Sequence, residues 1–168
     1  MFVLFKKMPA LWLLPILAGC AGPKADSTAQ FSQDPNYTGR LSRPLMMYPE
    51  ADASLGLPHD YAQQLFEHIA EELGAHDVPS AILRLNAETE QRTKQMKLVS
   101  ERFNPSHVVY LKPDRKAGHQ LTLTLRDVAG GKVIWRFEKA YPSWPPPEEV
   151  AQEVLKQWRS AQLIDRAK

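Results

Sequence analysis

The chain of 168 residues carries 21 Lys and Arg against 19 Asp and Glu, a formal net charge of +2, with 43% hydrophobic and 24% charged residues. That length supports one domain with a real core, and the composition excludes both a collagen-like repeat and a chain too polar to fold. A single cysteine excludes a disulfide framework within the chain, and the small positive excess acquires a meaning only from where its charges sit.

Residues 1–20 read MFVLFKKMPALWLLPILAGC. Lys6 and Lys7 supply a positive n-region, and from Met8 to Leu17 only Pro9 and Pro15 interrupt the hydrophobic residues. This apolar run is shorter than the ~20 residues of a membrane span, and two prolines oppose a stable spanning helix. It ends in Leu17-Ala18-Gly19-Cys20, which resembles at all four positions the lipobox of bacterial lipoproteins. The resemblance implies cleavage before Cys20, diacylglycerol on its sulfur and an acyl chain such as palmitate on its new amine. An ordinary thiol closing a plain signal peptide is the alternative. Each buried methylene contributes about 0.8 kcal/mol, so two or more chains hold stably where one does not. Ala21 rather than Asp follows Cys20, and in that family the missing retention signal points to the outer membrane, periplasmic face. Without residues 1–19 the count is 19 basic against 19 acidic side chains, because Lys6 and Lys7 leave with the signal.

Residues 20–44, polar and rich in small side chains with no sustained period, read as a lipid-anchored flexible linker. Phe31 and Tyr37 within it read as incidental, docking on the domain or on a partner being the alternative. A globular domain is expected over 45–164, with 165–168 as a tail. Leu45-Met46-Met47-Tyr48 before Pro49 reads as a first strand. Pro58 suits the first helical position, and Tyr61, Leu65, Ile69 and Leu73, widened by Ala62, Phe66 and Ala70, stripe a helix that Gly74 closes. Ala81–Leu85 reads as a short strand. Asn86 is the expected N-cap of a polar helix running to about Phe103, striped only by Met96, Val99 and Phe103 and stopped by Asn104-Pro105. The unbroken apolar run 107–111 predicts a strand covered on both faces. Residues 120–126 alternate leucine against Thr122, Thr124 and Arg126; 127–131 is turn chemistry; the return strand places Val133, Trp135 and Phe137 on one face. Glu148 and Glu149, after three prolines, open a last helix striped by Val150, Val154, Trp158 and Ala161. The order predicts an α/β (α+β) fold: a single small domain, a mixed β-sheet with about three helices packed on it, and no repeats.

Over residues 107–162, this element order and the pattern Leu121-x-Leu123-x-Leu125-x-Asp127 … Gly131-Lys132-x-x-Trp135 are similar to small periplasmic α/β lipoprotein domains of the TolB amino-terminal-like type. That group includes penicillin-binding-protein activator and curli secretion lipoproteins. The resemblance implies an interaction role and carries no catalytic signature.

The chain has no G-x-S-x-G, and its lone Cys20 is assigned to lipid. Five histidines and many carboxylates leave open a spatially assembled hydrolytic site, which spacing alone cannot show. His68, Glu72 and His76 recur at i, i+4, i+8, the spacing of metal ligands on a helix face, but Gly74 is expected to end the helix before His76; the reading is a solvated face and no metal. Gly130-Gly131 lies in a hairpin rather than opening a helix, so no phosphate loop or nucleic-acid site is expected. Lys112, Arg115, Lys116 and His119 cluster before the hairpin, either as a solvated loop or as a contact for an anionic envelope partner. Trp144, among prolines, is either a recognition handle or a side chain folded back on the core.

These readings predict a non-enzymatic outer-membrane lipoprotein that binds or scaffolds other envelope components. Its expected partners are the bilayer, through Cys20, and an envelope protein or glycan, through Lys112, Arg115, Lys116, His119, Trp144 or an unpaired hairpin edge. No cofactor is expected. The alternatives are a small envelope hydrolase or metal-dependent enzyme, or a lipid- or glycan-binding lipoprotein.

Overall fold

Strands that alternate and helices with one apolar stripe must bury those faces against each other, and one sheet with helices on both sides does so. The computed structural model describes residues 29–50, 56–114 and 119–165. Its elements are β1 (Gln30–Gln33), β2 (Pro44–Pro49), α1 (Tyr61–Ala75), β3 (Ala81–Leu85), α2 (Thr89–Phe103), β4 (His107–Asp114), β5 (His119–Asp127), β6 (Val133–Tyr141) and α3 (Pro147–Ser160). The six strands form one mixed sheet in the order β1-β6-β5-β4-β2-β3. β2 pairs in parallel with β3 and β4; the remaining pairs are antiparallel. This is the expected small α+β domain with three helices.

The two sheet faces explain the two kinds of strand. On one face α1 and α3 lie side by side over Met46, Tyr48, Val109, Leu111, Leu121, Leu123, Leu125, Trp135 and Phe137. On the other, α2 covers Leu45, Met47 and Leu85 with Met96, Val99 and Phe103. β2 and residues 108–111 of β4 are therefore apolar on both faces, whereas β5 is apolar only toward α1 and α3. Each fully buried leucine on β5 contributes about 1.5–3 kcal/mol of transfer free energy.

Three features depart from the sequence expectation. Val133 is exposed and Ile134 takes its place in the core, because β6 carries a bulge: Leu125 pairs with Trp135 and Arg126 with Val133, which leaves Ile134 unmatched. Helix ends are also displaced. α1 starts at Tyr61, three residues after Pro58, and continues through Gly74 to Ala75. Asp77 (φ 59°) takes the left-handed position, with Val78 N–H on Leu73 C=O and Asp77 N–H on Gly74 C=O. α3 ends the same way on Gln162 (φ 58°). Asn86 lies ahead of α2, whose N-cap is Glu88; its Oδ1 accepts the Glu88 N–H at 2.8 Å.

The third departure is largest. Residues 29–43, expected as linker, are part of the domain and form a strap along its edge. β1 pairs antiparallel with β6, Phe31 packs on Phe137 at 5.5 Å between ring centroids, and Leu41 is buried. Gln33 Nε2 donates to Ala161 C=O at 3.2 Å, and Leu41 N–H to Leu163 C=O at 2.9 Å. A four-residue polar strand followed by one buried leucine gives no period to read, so the domain begins earlier than patterning indicates. The signal segment, the lipobox and Cys20 lie outside the described residues.

Candidate functional site

The sheet divides the residues expected to bind a partner. Lys112 is exposed and stands in register with Thr122, whereas His119 alternates with Leu121 toward α1 and α3, so the two project from opposite faces. Arg115 and Lys116 lie outside the described residues. His119 and Trp144 are brought together, their rings edge to face at 5.3 Å. Trp144 also packs on Tyr61 at 5.5 Å, and its Nε1 donates to Gly56 C=O at 2.7 Å. The indole thus folds back on the core and closes the N-terminal end of α1. Among the described residues the β5–β6 hairpin is paired by β4 along β5 and by β1 along residues 135–138 of β6, while Lys139, Ala140 and Tyr141 have no strand beside them on that side.

Below Trp144 lies a pair of enclosed phenols. Burial, and then Glu148 and Glu149, push the Tyr61 hydroxyl far above its ordinary range. Burial, Glu153 and Tyr61 do the same to Tyr141. Both stay neutral, and the Tyr61 hydroxyl has no hydrogen-bond partner among the described residues. Lys139 Nζ bonds Glu153 at 2.8 Å and stands 5.0 Å from the Tyr141 ring centroid.

The most connected polar cluster carries no sequence signal beyond the adjacency of Ser106 and His107. His107, 3% exposed at the start of β4, contacts Tyr37 Oη through Nε2 at 2.6 Å and Ser106 Oγ through Nδ1 at 2.7 Å. Ser106 Oγ also accepts from Arg43 N–H at 3.0 Å and from Ser42 Oγ at 2.9 Å. Each ring nitrogen thus meets one hydroxyl, and the three partners of Ser106 Oγ use all of its hydrogen-bonding capacity. Burial lowers the His107 pKa, partly opposed by Asp127, and burial with Asp127 raises that of Tyr37. The Tyr37 ring lies against Gly39, where a Cβ would stand 2.7 Å from Cζ.

Tyr37 also lines a polar cleft of about 430 Å³ between the strap and the end of α3, with Gln33, Arg40, Ser160 and Gln162. A second hollow of about 200 Å³, lined by Phe31, Trp135 and Gln157, adjoins it. His68, Glu72 and His76 do not converge: His68 is exposed, Glu72 is held by Arg159 and by His76 at 3.5 Å, and His76 lies past the end of α1. Among the described residues, no group of three or more His, Cys, Asp or Glu is arranged to hold a metal, and no helix is long and apolar enough to cross a membrane. The glycine pair serves the hairpin: Asp127 Oδ2 accepts the Gly130 N–H, and Gly131 takes φ 62°.

No family model matches the chain, and no curated protein matches its sequence. Among solved structures it is similar to the PelC dodecamer from Paraburkholderia phytofirmans, at 14% identity over 83% of this chain and 99% of that one, with a TM-score of 0.49. A point variant of the same dodecamer gives 16% identity, the same coverage and a TM-score of 0.48. At these scores the likeness carries no argument about function.

Proposed function

We propose that the chain is an accessory protein of the bacterial cell envelope, acylated at Cys20, held at the periplasmic face of the outer membrane, and acting by binding another envelope component rather than by catalysis. The observation that carries this reading is the placement of β1: Gln30 stands ten residues beyond Cys20 of Leu17-Ala18-Gly19-Cys20. A connection of that length holds the domain within about 35 Å of an acylated cysteine, whatever its conformation. Such confinement raises the effective concentration of the domain for partners at the same membrane. Binding is favoured over hydrolysis because the Ser106 hydroxyl beside His107 spends all of its hydrogen-bonding capacity within the protein, whereas a nucleophile needs a lone pair turned to substrate. A second reading, direct binding of a glycan, is supported by the amide and hydroxyl lining of the cleft at Gln33, Ser160 and Gln162.

Photocrosslinking residues placed in cells at the exposed positions Lys112 and Ser160, read by mass spectrometry, test the reading. Recovery of one defined envelope protein or glycan from either position is expected. Recovery of none from both contradicts a binding role.

A further inference from the structure

The charges of the domain are sorted between its two layers. On one side of the sheet, α1 and α3 carry three Glu each against Lys156 and Arg159. The sheet adds Arg84 and Lys139 on that side, and Lys139 is bound to Glu153. On the other side, α2 carries Arg92, Lys94, Lys97 and Arg102 against Glu90 and Glu101. Beside α2 the same sheet face continues in open rows: Lys112, Thr122 and Glu138 in one, Tyr110, Thr124 and Arg136 in the next, Arg126 beyond. The cluster under α2 reaches only the border of these rows, at Val108 and Tyr110. Among the described residues of this layer each carboxylate is already paired, Glu90 with Lys94, Glu101 with Lys97 and Glu138 with Arg136. Arg92, Arg102, Lys112 and Arg126 have no carboxylate partner among the described residues.

We propose that the layer of α2 and the open rows is a docking surface for anionic phospholipid, which lays the domain on a bilayer and turns α1 and α3 away from it. Three observations favour a bilayer as the occupant. The unpaired cations are spread over a helix and two strands instead of converging in a cleft, the arrangement that meets a plane of charge. Leu98 is exposed on α2 one turn from Lys94 and one turn from Arg102, an apolar side chain between two long cations as at a membrane interface. The segment from Cys20 enters the sheet beside the cationic rows, because Gln30 stands in register with Glu138 and Ser32 with Arg136. The potential of anionic lipid decays within about 10 Å in physiological salt, so it acts on the layer turned to the bilayer and not on the far one. Each Lys or Arg near such a surface contributes about fivefold in partitioning. Four of them bind less tightly than one acyl chain, so the face orients what an anchor holds. Orientation in the cell rests on acylation of Cys20; the affinity of the face for anionic lipid does not.

Lysine acetylation read by mass spectrometry tests the proposal on the chain without residues 1–19, which keeps every described element. Its only thiol, Cys20, is coupled to a maleimide-bearing lipid in vesicles. Lys94, Lys97, Lys112 and Lys156 are all exposed and serve as reporters. On vesicles with about one-third phosphatidylglycerol, Lys94, Lys97 and Lys112 are expected to react about fivefold or more slowly than on phosphatidylcholine vesicles, while Lys156 reacts equally on both. Salt at about 0.5 M is expected to remove the difference. Arg102→Gln with Arg126→Gln removes two unpaired cations and no reporter, and is expected to abolish the protection. Equal rates on the two lipids, equal slowing of Lys156 and Lys112, or protection that persists in the double variant overturns the proposal. Protection without vesicles that grows with protein concentration assigns the face to a second copy of the chain and overturns it too. Should the variant not fold, the salt series decides, and protection that survives high salt overturns the proposal. The coupling is chemical, so failure of this docking and failure of the envelope reading are distinguishable.

Discussion

His107 and Thr122 are the buried polar side chains among the described residues, and only His107 titrates near neutral pH. Burial depresses its folded pKa below the unfolded value of about 6.5, so between the two values the unfolded chain binds the extra proton. Stability is therefore unaffected by this group above about pH 6.5, falls as acid is added through the window below it, and levels off beneath the folded pKa. Each unit of displacement is worth about 1.4 kcal/mol. Urea melts at about pH 7.5 and about pH 5 are expected to show a loss in the wild type that is much smaller in His107→Phe, where no ring titrates. Sequence pattern could not reveal this residue, which falls inside the apolar run 107–111 and meets Tyr37 only when the chain has folded back 70 residues. The leucines of β5 were legible for the opposite reason: their pattern is local and their burial follows from alternation.

At the scale of the elements, glycine position separates two mechanisms. Gly74 lies inside α1, and a Cβ added there would meet nothing within 4 Å, so Gly74→Ala is expected to stabilise the domain by about 0.5–1 kcal/mol. Gly131 takes φ 62° in the hairpin turn, so Gly131→Ala is expected to destabilise by about 1 kcal/mol. Opposite shifts in denaturant midpoint check the pair; shifts of the same sign would contradict these assignments. Reading Gly74 as a helix stop follows the usual chemistry of C-termini, but Asp77 and Gln162 adopt the left-handed turn here without glycine. The bulge at Ile134 was equally silent, since Val133 and Ile134 are both apolar β-formers and the pattern cannot say which faces the core.

For the whole molecule, fold class was legible because the helices cover both faces of one half of the sheet and one face of the other, which writes continuous and alternating strands into the sequence. Strand order was not, because β2 lies between β3 and β4 through crossovers that leave no local mark. Of the expected contact residues, His119 and Trp144 meet and Lys112 stands on the other face, a division that depends on register rather than on spacing. The strap was missed because its docking rests on single contacts spread over fifteen residues, 29–43, rather than on a stripe. The central proposal, a domain held at a membrane through Cys20, is tested most directly by the distribution of Cys20→Ser between membrane and soluble fractions of cells. The variant is expected to leave the membrane fraction with its fold intact, since under this proposal the acyl chains on Cys20 supply the attachment, and without residues 1–19 the chain counts 19 basic against 19 acidic side chains. Retention in the membrane fraction at the wild-type level would contradict the account.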